Sequence, residues 1–407
     1  MQTEPRYLSS KQAADALGVT QATLYAYTSR GQVQSDAVPG RPRERRYPRE
    51  DIQRLRERRE TRRDPAKAAA RGLHWGSPVL ESGITLIDNG NLYYRGRDVL
   101  KLAERASLEQ VAELLWAAEA GERLFEQGCV LTPSQLARLR TASKDPMTLF
   151  QMALPLAAAA DPASYDLRPD AVRKTGARIV RLLTDVVAGR NPWRNPQAPV
   201  HRALEAAWAP KRAAVGETIR AALVLCADHE LNVSAFTARC AASAGASPYD
   251  TVAAAMATLK GSRHGGATER VSALFAEAET PRRARTAVAN RLRRGENLPG
   301  FGHPLYPAGD PRCALLLRLA EASGNAPMWG LVTALQKAGS ELLHEHPNLD
   351  FGLAALARTY GLPLRAPLVL FALGRTIGWI AHAIEQYAIG ELIRPRARYT
   401  GPAPGAF

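Results

Sequence analysis

The sequence predicts a mostly α-helical protein in which a small helix-turn-helix unit precedes a large helical body. After about residue 77, apolar residues recur at helical spacing, segment after segment ends at glycine, and strand-like alternation is rare. The first sixty residues have a different pattern, with short capped segments and many arginines. At 407 residues the chain is long enough for two or three domains.

The stretch Tyr7–Val33 predicts two short helices around a glycine turn. Ser9 or Ser10 can cap the first helix, Gly18 ends it, and Thr20 caps the second. With the later "RRYPREDI" at residues 45–52, this stretch resembles the winged helix-turn-helix domains of excisionases and mercury-resistance regulators. We therefore expect a domain over residues 1–63.

Arginines crowd residues 41–63, so this flank could neutralise DNA phosphates while the second helix enters a major groove. Two alternatives stay open. The segment "DIQRLRERRETRR" is also typical of a solvated, salt-bridged helix, and small domains of this kind also serve as dimerisation or docking modules.

Residues 64–76 predict a linker, because helical alanines give way there to glycine and proline. In "GITLIDNGNLYYRG", Asn89-Gly90 between alternating apolar residues predicts a hairpin. The longest apolar run, Ala366 to Ala383, contains Pro367, Gly374 and Arg375, which favours a buried helix over a membrane span.

The composition indicates which classes of binding partner and which cellular compartment to expect. Lysine and arginine number 54 against 39 acidic residues, and the formal charge of +15 favours anions such as nucleic acid, CoA phosphates or polycarboxylates. No signal-peptide pattern opens the sequence. The cysteines form no CxxC or Cys/His cluster, which indicates neither a zinc site nor a disulfide framework and favours a reducing cytoplasm: Cys129, Cys226, Cys240 and Cys313.

Two histidine motifs interrupt the helical body. The triplet Asp228-His229-Glu230 lies in an apolar stretch and must be paired or line a cleft, although a satisfied core histidine is the alternative. His264 precedes two glycines and a predicted helix N-terminus, a setting that favours a neutral imidazole able to donate to a developing enolate oxygen. A helix cap with an incidental histidine is the other interpretation.

Three further features carry charge. The loop "GFGHPLYPAGDPR" holds three glycines and three prolines, so it cannot be helical, yet it presents His303 and Arg312. Asp350 lies at the start of an apolar helix, where helix-capping aspartates are also common. Arg375 is the only charged residue of its helix before Glu385, so a carboxylate of the protein or of a ligand must meet it.

Taken in order, these motifs resemble the citrate synthase family from about residue 77 to the C-terminus. The matching stretches are "LYYRGRDV", "DHELNVSAF", "GSRHGGATERV", "GFGHPLYPAGDPR", "NLDF", "FALGRTIGWIAHAIEQ" and "IRPRARYTGP". The resemblance implies an all-α citrate synthase fold that forms an obligate homodimer. It also implies a large domain at residues 77–265 and 363–407 and a small domain at 266–362, which close on each other.

The resemblance further implies a condensation of acetyl-CoA, as cosubstrate, with oxaloacetate, followed by hydrolysis of citryl-CoA to citrate. By motif position Asp350 is the base, His264 hydrogen-bonds the thioester oxygen, and His303 polarises and protonates the oxaloacetate carbonyl. The substrate carboxylates are expected to meet His229, Arg312, Arg375 and Arg394.

In this family Arg394 would reach in from the partner subunit, so that each active site is shared. The loop expected to offer backbone groups to CoA comprises Asn297, Leu298, Pro299, Gly300, Phe301 and Gly302. The resemblance implies no metal, no permanently bound cofactor and no membrane.

The sequence departs from the family pattern in three places. Arg263 precedes His264 where many members have leucine, so it either pairs with a CoA phosphate or lowers the histidine pKa. Gly352 follows Phe351 where the motif often has tyrosine, which predicts a roomier pocket and leaves propionyl-CoA, giving 2-methylcitrate, as an alternative substrate. The N-terminal domain raises the hypothesis of a DNA-binding regulator with a metabolite-sensing body, but a sensor has no need of Asp350.

Overall fold

The computed structural model describes residues 7–38, 41–49, 51–52, 55, 80–126, 128–189, 198–210, 212, 214–397 and 399–404. The chain divides into two compact units, Met1–Glu81 and Ser82–Phe407. The predicted linker at 64–76 and most of the arginine-rich segment 51–63 lie outside the described residues.

The N-terminal unit is a winged helix-turn-helix, as the sequence predicts. Helix α1 (Ser10–Leu17) is capped by Ser9, and Gly18 ends it in the left-handed conformation. Thr20 caps α2, Gln21–Ser29. Strands β1 (Tyr7–Ser9), β2 (Asp36–Val38) and β3 (Arg41–Pro48) form an antiparallel sheet in the order β1-β3-β2. Leu24 and Tyr47 are fully buried in the small core shared by the helices and the sheet.

The predicted hairpin opens the second unit. Strands β4 (Thr85–Asp88) and β5 (Asn91–Tyr94) pair antiparallel, and β6 (Arg97–Asp98) extends the sheet. Asn89 and Gly90 both have positive φ, 48° and 78°, which is the backbone that a two-residue hairpin turn requires.

The rest of the described second unit is almost entirely helical. Its α-helices are α3 (Val99–Arg105), α4 (Leu108–Leu115), α5 (Pro133–Ala142), α6 (Pro146–Ala160), α7 (Pro169–Ala188), α8 (Val200–Trp208), α9 (Ala214–Cys226), α10 (Val233–Ser243), α11 (Pro248–Leu259), α12 (Ala267–Ala278), α13 (Pro281–Arg293), α14 (Pro311–Glu321), α15 (Ala326–Leu343), α16 (Leu349–Thr359) and α17 (Ala366–Ile389). Single-turn 3₁₀ helices lie at Leu124–Glu126 and Pro162–Tyr165. The predicted fold class is confirmed.

Helix α17 is the central helix of this unit and packs against α9, α10 and α7. Within the described residues it alone is long and apolar enough to cross a bilayer, but 94% of its apolar window is buried inside the protein. The prediction of a buried helix is therefore confirmed.

Two hydrophobic clusters organise the second unit. The larger contains the hairpin, α17 and most helices from α3 to α11. The smaller contains buried residues from Val271 to Ala355, contributed chiefly by α12, α13 and α15. Helices α14 and α16 have residues in both clusters. They also carry Arg312 and Asp350, which places these two residues at the boundary between the cores.

Candidate active site

The triplet Asp228-His229-Glu230 lies in a break between helices. Helix α9 ends at Cys226, and α10 starts at Val233 after the N-cap Asn232, whose side chain accepts from the backbone N–H groups of Ser234 and Ala235. Asp228 and His229 are buried, at 0% and 8% exposure. Because the chain leaves the helix here, the His229 side chain can face His303 and Tyr306.

Two glycines of α17, Gly374 and Gly378, bring this break close to the central helix; a Cβ at Gly374 would lie 2.7 Å from Cys226 Cβ. A Cβ at Gly378 would lie 2.3 Å from Asp228 Oδ1 and 2.5 Å from Ala227 O. The Gly378 N–H donates to Ala227 O at 3.0 Å. Arg375, only 1% exposed, donates from Nε to Cys226 O at 2.9 Å. The glycines thus fix Arg375 beside the segment that carries His229.

Arg375 forms no ion pair with a carboxylate in the part of the chain that the structure describes. Burial lowers the pKa of its guanidinium, and the negative charge of Asp228 partly offsets that effect. Of the two partners expected from the sequence, a ligand carboxylate is the one that agrees with this arrangement.

His229, His303 and Tyr306 form an aromatic cluster. The rings of His229 and His303 meet edge to face with centroids 5.2 Å apart, and the Tyr306 ring lies 5.0 Å from that of His303. A 2.9 Å hydrogen bond joins His229 Nε2 to Tyr306 Oη. The glycine- and proline-rich loop that carries His303 and Tyr306 therefore lies against His229.

Arg312, at the start of α14, is held by its own N-cap. It donates to both carboxylate oxygens of Asp310, at 3.0 Å and 2.9 Å, while the Leu349 N–H donates to Asp310 Oδ2 at 3.1 Å. Burial alone would raise the pKa of Asp310, but the charge and hydrogen bonds of Arg312 hold it below its usual value. Asp310 therefore links α14 to the start of α16.

Asp350 stands in the first turn of α16, after the N-cap Asn348. Asn348 donates from Nδ2 to Gly302 O at 3.1 Å and from its backbone N–H to Gly300 O at 2.9 Å. The Asp350 Oδ1 atom is buried and has no hydrogen-bond partner among the residues that the structure describes. Burial raises the pKa of this carboxyl to about 7, although Arg312 opposes the shift. Such a carboxylate is poised to take up a proton near neutral pH.

His264 lies in the turn between α11 and α12. Its Nε2 is 2.7 Å from Ser234 Oγ, and its ring meets Phe371 edge to face at 5.9 Å. Burial, with a smaller contribution from Arg375, lowers the pKa of His264 to about 3. The imidazole is therefore neutral at pH 7, and burial is the main cause, whereas the sequence argument relied on the helix N-terminus.

The pKa values of His303 and His229 are both lowered by the charges of nearby site residues. Burial followed by the charge of Arg312 lowers the pKa of His303 to about 4. The pKa of His229 falls well below its usual value through burial and then through Arg312, Arg375, His303 and His264. The site thus combines the neutral imidazoles of His229 and His303, two buried guanidinium groups and a carboxyl of raised pKa. Such a set can bind a dicarboxylate and abstract a proton beside it.

Most of the expected CoA loop is buried, whereas Arg394 is exposed. Gly300 and Gly302 have φ of 86° and 73°, and Leu298 and Phe301 are buried, while Asn297 is exposed. Arg394 is exposed in the segment after α17, whose described residues have no regular secondary structure, and it takes part in none of the contacts described above. Arg263 is exposed beside His264. The roles of these residues stay predictions.

One structural expectation from the sequence is wrong. Gly352 does not open space beside Asp350, because a Cβ there would lie 3.0 Å from Leu316 Cβ and 3.3 Å from Cys313 Cα. The glycine permits close packing of α14 and α16. A roomier acyl pocket therefore does not follow from Gly352.

Sequence reasoning missed three residues that hold the predicted ones: Ser234, Tyr306 and Asp310. All three lie inside the quoted motifs, at "DHELNVSAF" and "GFGHPLYPAGDPR". Their position there was the available signal, but the contacts of Ser234 with His264, Tyr306 with His229 and Asp310 with Leu349 connect segments far apart in the chain.

Comparison with known proteins agrees with this geometry. The profile "Citrate synthase, C-terminal domain" matches residues 72–396, and the profile "Helix-turn-helix domain" matches residues 7–60. A citrate synthase of Haloferax volcanii is 33% identical over 365 residues, covering 81% of this chain and 95% of the relative. A 2-methylcitrate synthase of Mycobacterium tuberculosis is 32% identical over 349 residues, covering 78% and 87%.

A solved structure of citrate synthase from the archaeon Thermoplasma acidophilum, in ternary complex with carboxymethyl coenzyme A and oxaloacetate, has a TM-score of 0.71. It is 26% identical, and the match covers 83% of this chain and 97% of the archaeal one. This chain belongs to the citrate synthase family, as an enzyme of the citrate synthase type that carries an N-terminal helix-turn-helix domain.

Proposed function

We propose that Asp350 removes the α-proton of acetyl-CoA, that His264 donates a hydrogen bond to the thioester oxygen, and that His303 polarises and protonates the oxaloacetate carbonyl. The observation that carries this assignment is the buried Asp350 Oδ1, which accepts no hydrogen bond from any described residue and belongs to a carboxyl with a pKa of about 7. A carboxylate freed of donors retains its basicity, which suits it to a weakly acidic C–H bond.

The carboxylates of oxaloacetate are assigned to His229, Arg312 and Arg375, with Arg394 supplied by the partner subunit of a homodimer. Support comes from the burial of both Arg312 and Arg375 and from the lack of an ion pair on Arg375 among the described residues. Planar guanidinium groups bind carboxylates with two parallel hydrogen bonds. That contact is assigned to Arg375, which uses only Nε on Cys226 O, whereas Arg312 already donates from Nε and Nη2 to Asp310 and contributes through Nη1.

The small domain is assigned to residues 266–362, moving against the large domain at 77–265 and 363–407. The smaller hydrophobic cluster falls inside that range. Closure would exclude bulk water during condensation, and citryl-CoA would then be hydrolysed in the same closed site. The loop Asn297–Gly302 is assigned to CoA from its match to the family motif, and its two positive-φ glycines shape the turn.

Acetyl-CoA is the proposed acyl donor, and propionyl-CoA remains the alternative. The Mycobacterium tuberculosis relative is a 2-methylcitrate synthase of nearly the same identity as the Haloferax volcanii citrate synthase. Because Gly352 opens no pocket, it supplies no argument for the larger acyl group.

The test is free-thiol release from acetyl-CoA and, in parallel, from propionyl-CoA in the presence of oxaloacetate. Asp350→Asn should lower turnover by orders of magnitude while oxaloacetate binding persists. The matched control is Asp170→Asn, which changes an exposed first-turn aspartate of α7 and should leave turnover unchanged. Near-native turnover in Asp350→Asn would remove Asp350 from the mechanism.

DNA binding by the N-terminal unit is a second candidate function. Support comes from the winged helix-turn-helix and from β3, whose eight residues include four arginines: Arg41, Arg43, Arg45 and Arg46. We expect duplex DNA to bind with an affinity that falls steeply as salt rises, and deletion of residues 1–63 to abolish binding while turnover persists. DNA binding that survives the deletion would exclude this unit as the contact.

A further inference from the structure

Tyr306 contacts three of the residues to which the proposed function gives roles. Its hydroxyl is 2.9 Å from His229 Nε2, its ring lies 5.0 Å from the His303 ring, and the Arg312 guanidinium carbon is 5.2 Å from its centroid. Tyr306 is 2% exposed. The proposed reaction gives it no task.

His229 has two ring nitrogens, and only one of them carries a proton while the imidazole is neutral. Burial, reinforced by Arg312 and Arg375, lowers its pKa well below the usual value, so the ring is neutral at pH 7. Nε2 is engaged by Tyr306, whereas Nδ1 has no hydrogen-bond partner among the described residues. Nδ1 is therefore the nitrogen left for a ligand.

A carboxylate oxygen accepts hydrogen bonds and repels a nitrogen lone pair. His229 can bind one through Nδ1 only if the proton sits on Nδ1, and Nε2 must then accept from its own partner. A tyrosine hydroxyl can be that donor, and burial raises the pKa of Tyr306 to about 12, so it keeps its proton at neutral pH.

We propose that Tyr306 is a positioning residue: its hydroxyl donates to Nε2 of His229, holds the imidazole in the Nδ1–H form, and so presents one N–H to a carboxylate of the keto acid. The identity of that keto acid as oxaloacetate rests on the proposed function. The position of the proton on His229 does not.

The opposite arrangement, in which Nε2–H donates to Tyr306 Oη, makes the contrary prediction. Nδ1 would then turn a lone pair toward the carboxylate and weaken its binding. Removing the Tyr306 hydroxyl would relieve that constraint and leave affinity for the keto acid unchanged or improved.

Affinity is tested with Tyr306→Phe, which keeps the ring and removes the hydroxyl. The dissociation constant of oxaloacetate, measured by calorimetry, should rise roughly three- to tenfold, the worth of one hydrogen bond, while that of CoA stays the same. The matched control is Tyr249→Phe, which removes a hydroxyl bonded to Asp161 from a tyrosine of 1% exposure and should change neither constant. Unchanged or tighter oxaloacetate binding in Tyr306→Phe overturns the proposal.

The proton is located by nitrogen NMR of histidine-labelled protein without ligand, with His229 assigned by comparison with His229→Asn. Native protein should show the proton on Nδ1, and Tyr306→Phe should show a mixture of both forms, which a merely structural role of Tyr306 would not produce. A proton on Nε2 in the native protein overturns the proposal. If the native protein binds no oxaloacetate, the proposed function fails, and the NMR result alone decides the role of Tyr306.

Discussion

At the scale of single residues, Asp350 connects pH to turnover. Its pKa is raised to about 7 by burial, and a base must be ionised to act, so kcat/KM for acetyl-CoA should rise as pH increases through about 7. The pKa values of His264 and His303, about 3 and about 4, keep both rings neutral throughout that range. Initial rates between pH 5 and 9 measure the profile, and a flat curve across neutrality would contradict the assignment.

The ionised form of the same carboxyl should lower the free energy of unfolding of the protein. Its pKa in the folded protein lies above the value near 4 of an unfolded chain, so the folded state binds the extra proton between about pH 4 and pH 7 and loses stability as pH rises through that window. Asp350→Asn has no such proton. Its thermal midpoint relative to native protein should therefore increase from pH 5 to pH 8, and a constant difference would show that the carboxyl is not strained by burial.

Ser234 contacts His264, the histidine that the proposed mechanism places at the thioester oxygen. Its Oγ contacts His264 Nε2 at 2.7 Å and accepts from Trp379 Nε1 at 3.1 Å. Ser234→Ala should lower kcat about tenfold because His264 loses the partner that fixes its ring, while oxaloacetate affinity is retained. Ser243→Ala, at the end of the same helix with its hydroxyl on Cys240 O, is the control and should leave kcat unchanged. Equal kcat in both variants would exclude Ser234 from positioning His264.

At the scale of elements, the close packing of α9 against α17 positions Arg375 beside the segment that carries His229. A Cβ at Gly378 would overlap Asp228 Oδ1 and Ala227 O, so Gly378→Ala should push the 227–229 segment away from Arg375. We expect a destabilisation of about 1–3 kcal/mol with weaker oxaloacetate binding. Gly330→Ala in α15, where the nearest atom is Pro281 Cγ at 3.5 Å, should be neutral or stabilising. Thermal melts of both variants test this, and equal melting temperatures would contradict it.

The elements themselves were largely predictable, because their signals are local. Ser9, Gly18 and Thr20 bound the first two helices, and Asn89-Gly90 sets the hairpin, as expected from capping and turn chemistry. The contacts inside the site were not predictable in this way. His229 and Tyr306 are 77 positions apart in the sequence, and only tertiary packing brings them together, which no local pattern encodes. Gly352 shows the same limit, since its partner is a neighbouring helix and not a pocket.

At the scale of the whole molecule, the proposed homodimer makes each active site depend on two chains. Asp350, His303 and Arg312 belong to one chain, and Arg394 is assigned to its partner. Arg394→Ala and Asp350→Asn should each be inactive alone. In a heterodimer of the two variants, however, one of the two sites receives an intact Asp350 and an intact Arg394.

Co-expression of the two variants with different tags should therefore restore activity. Random pairing makes half of the dimers mixed, each with one intact site, so roughly a quarter of native turnover should return. The control pairs Asp350→Asn with His303→Ala, whose changes lie on the same chain's side of the site, so that no mixed dimer has an intact site and activity stays absent. Purified mixed dimers of Arg394→Ala with Asp350→Asn that remain inactive would place Arg394 outside the partner's site.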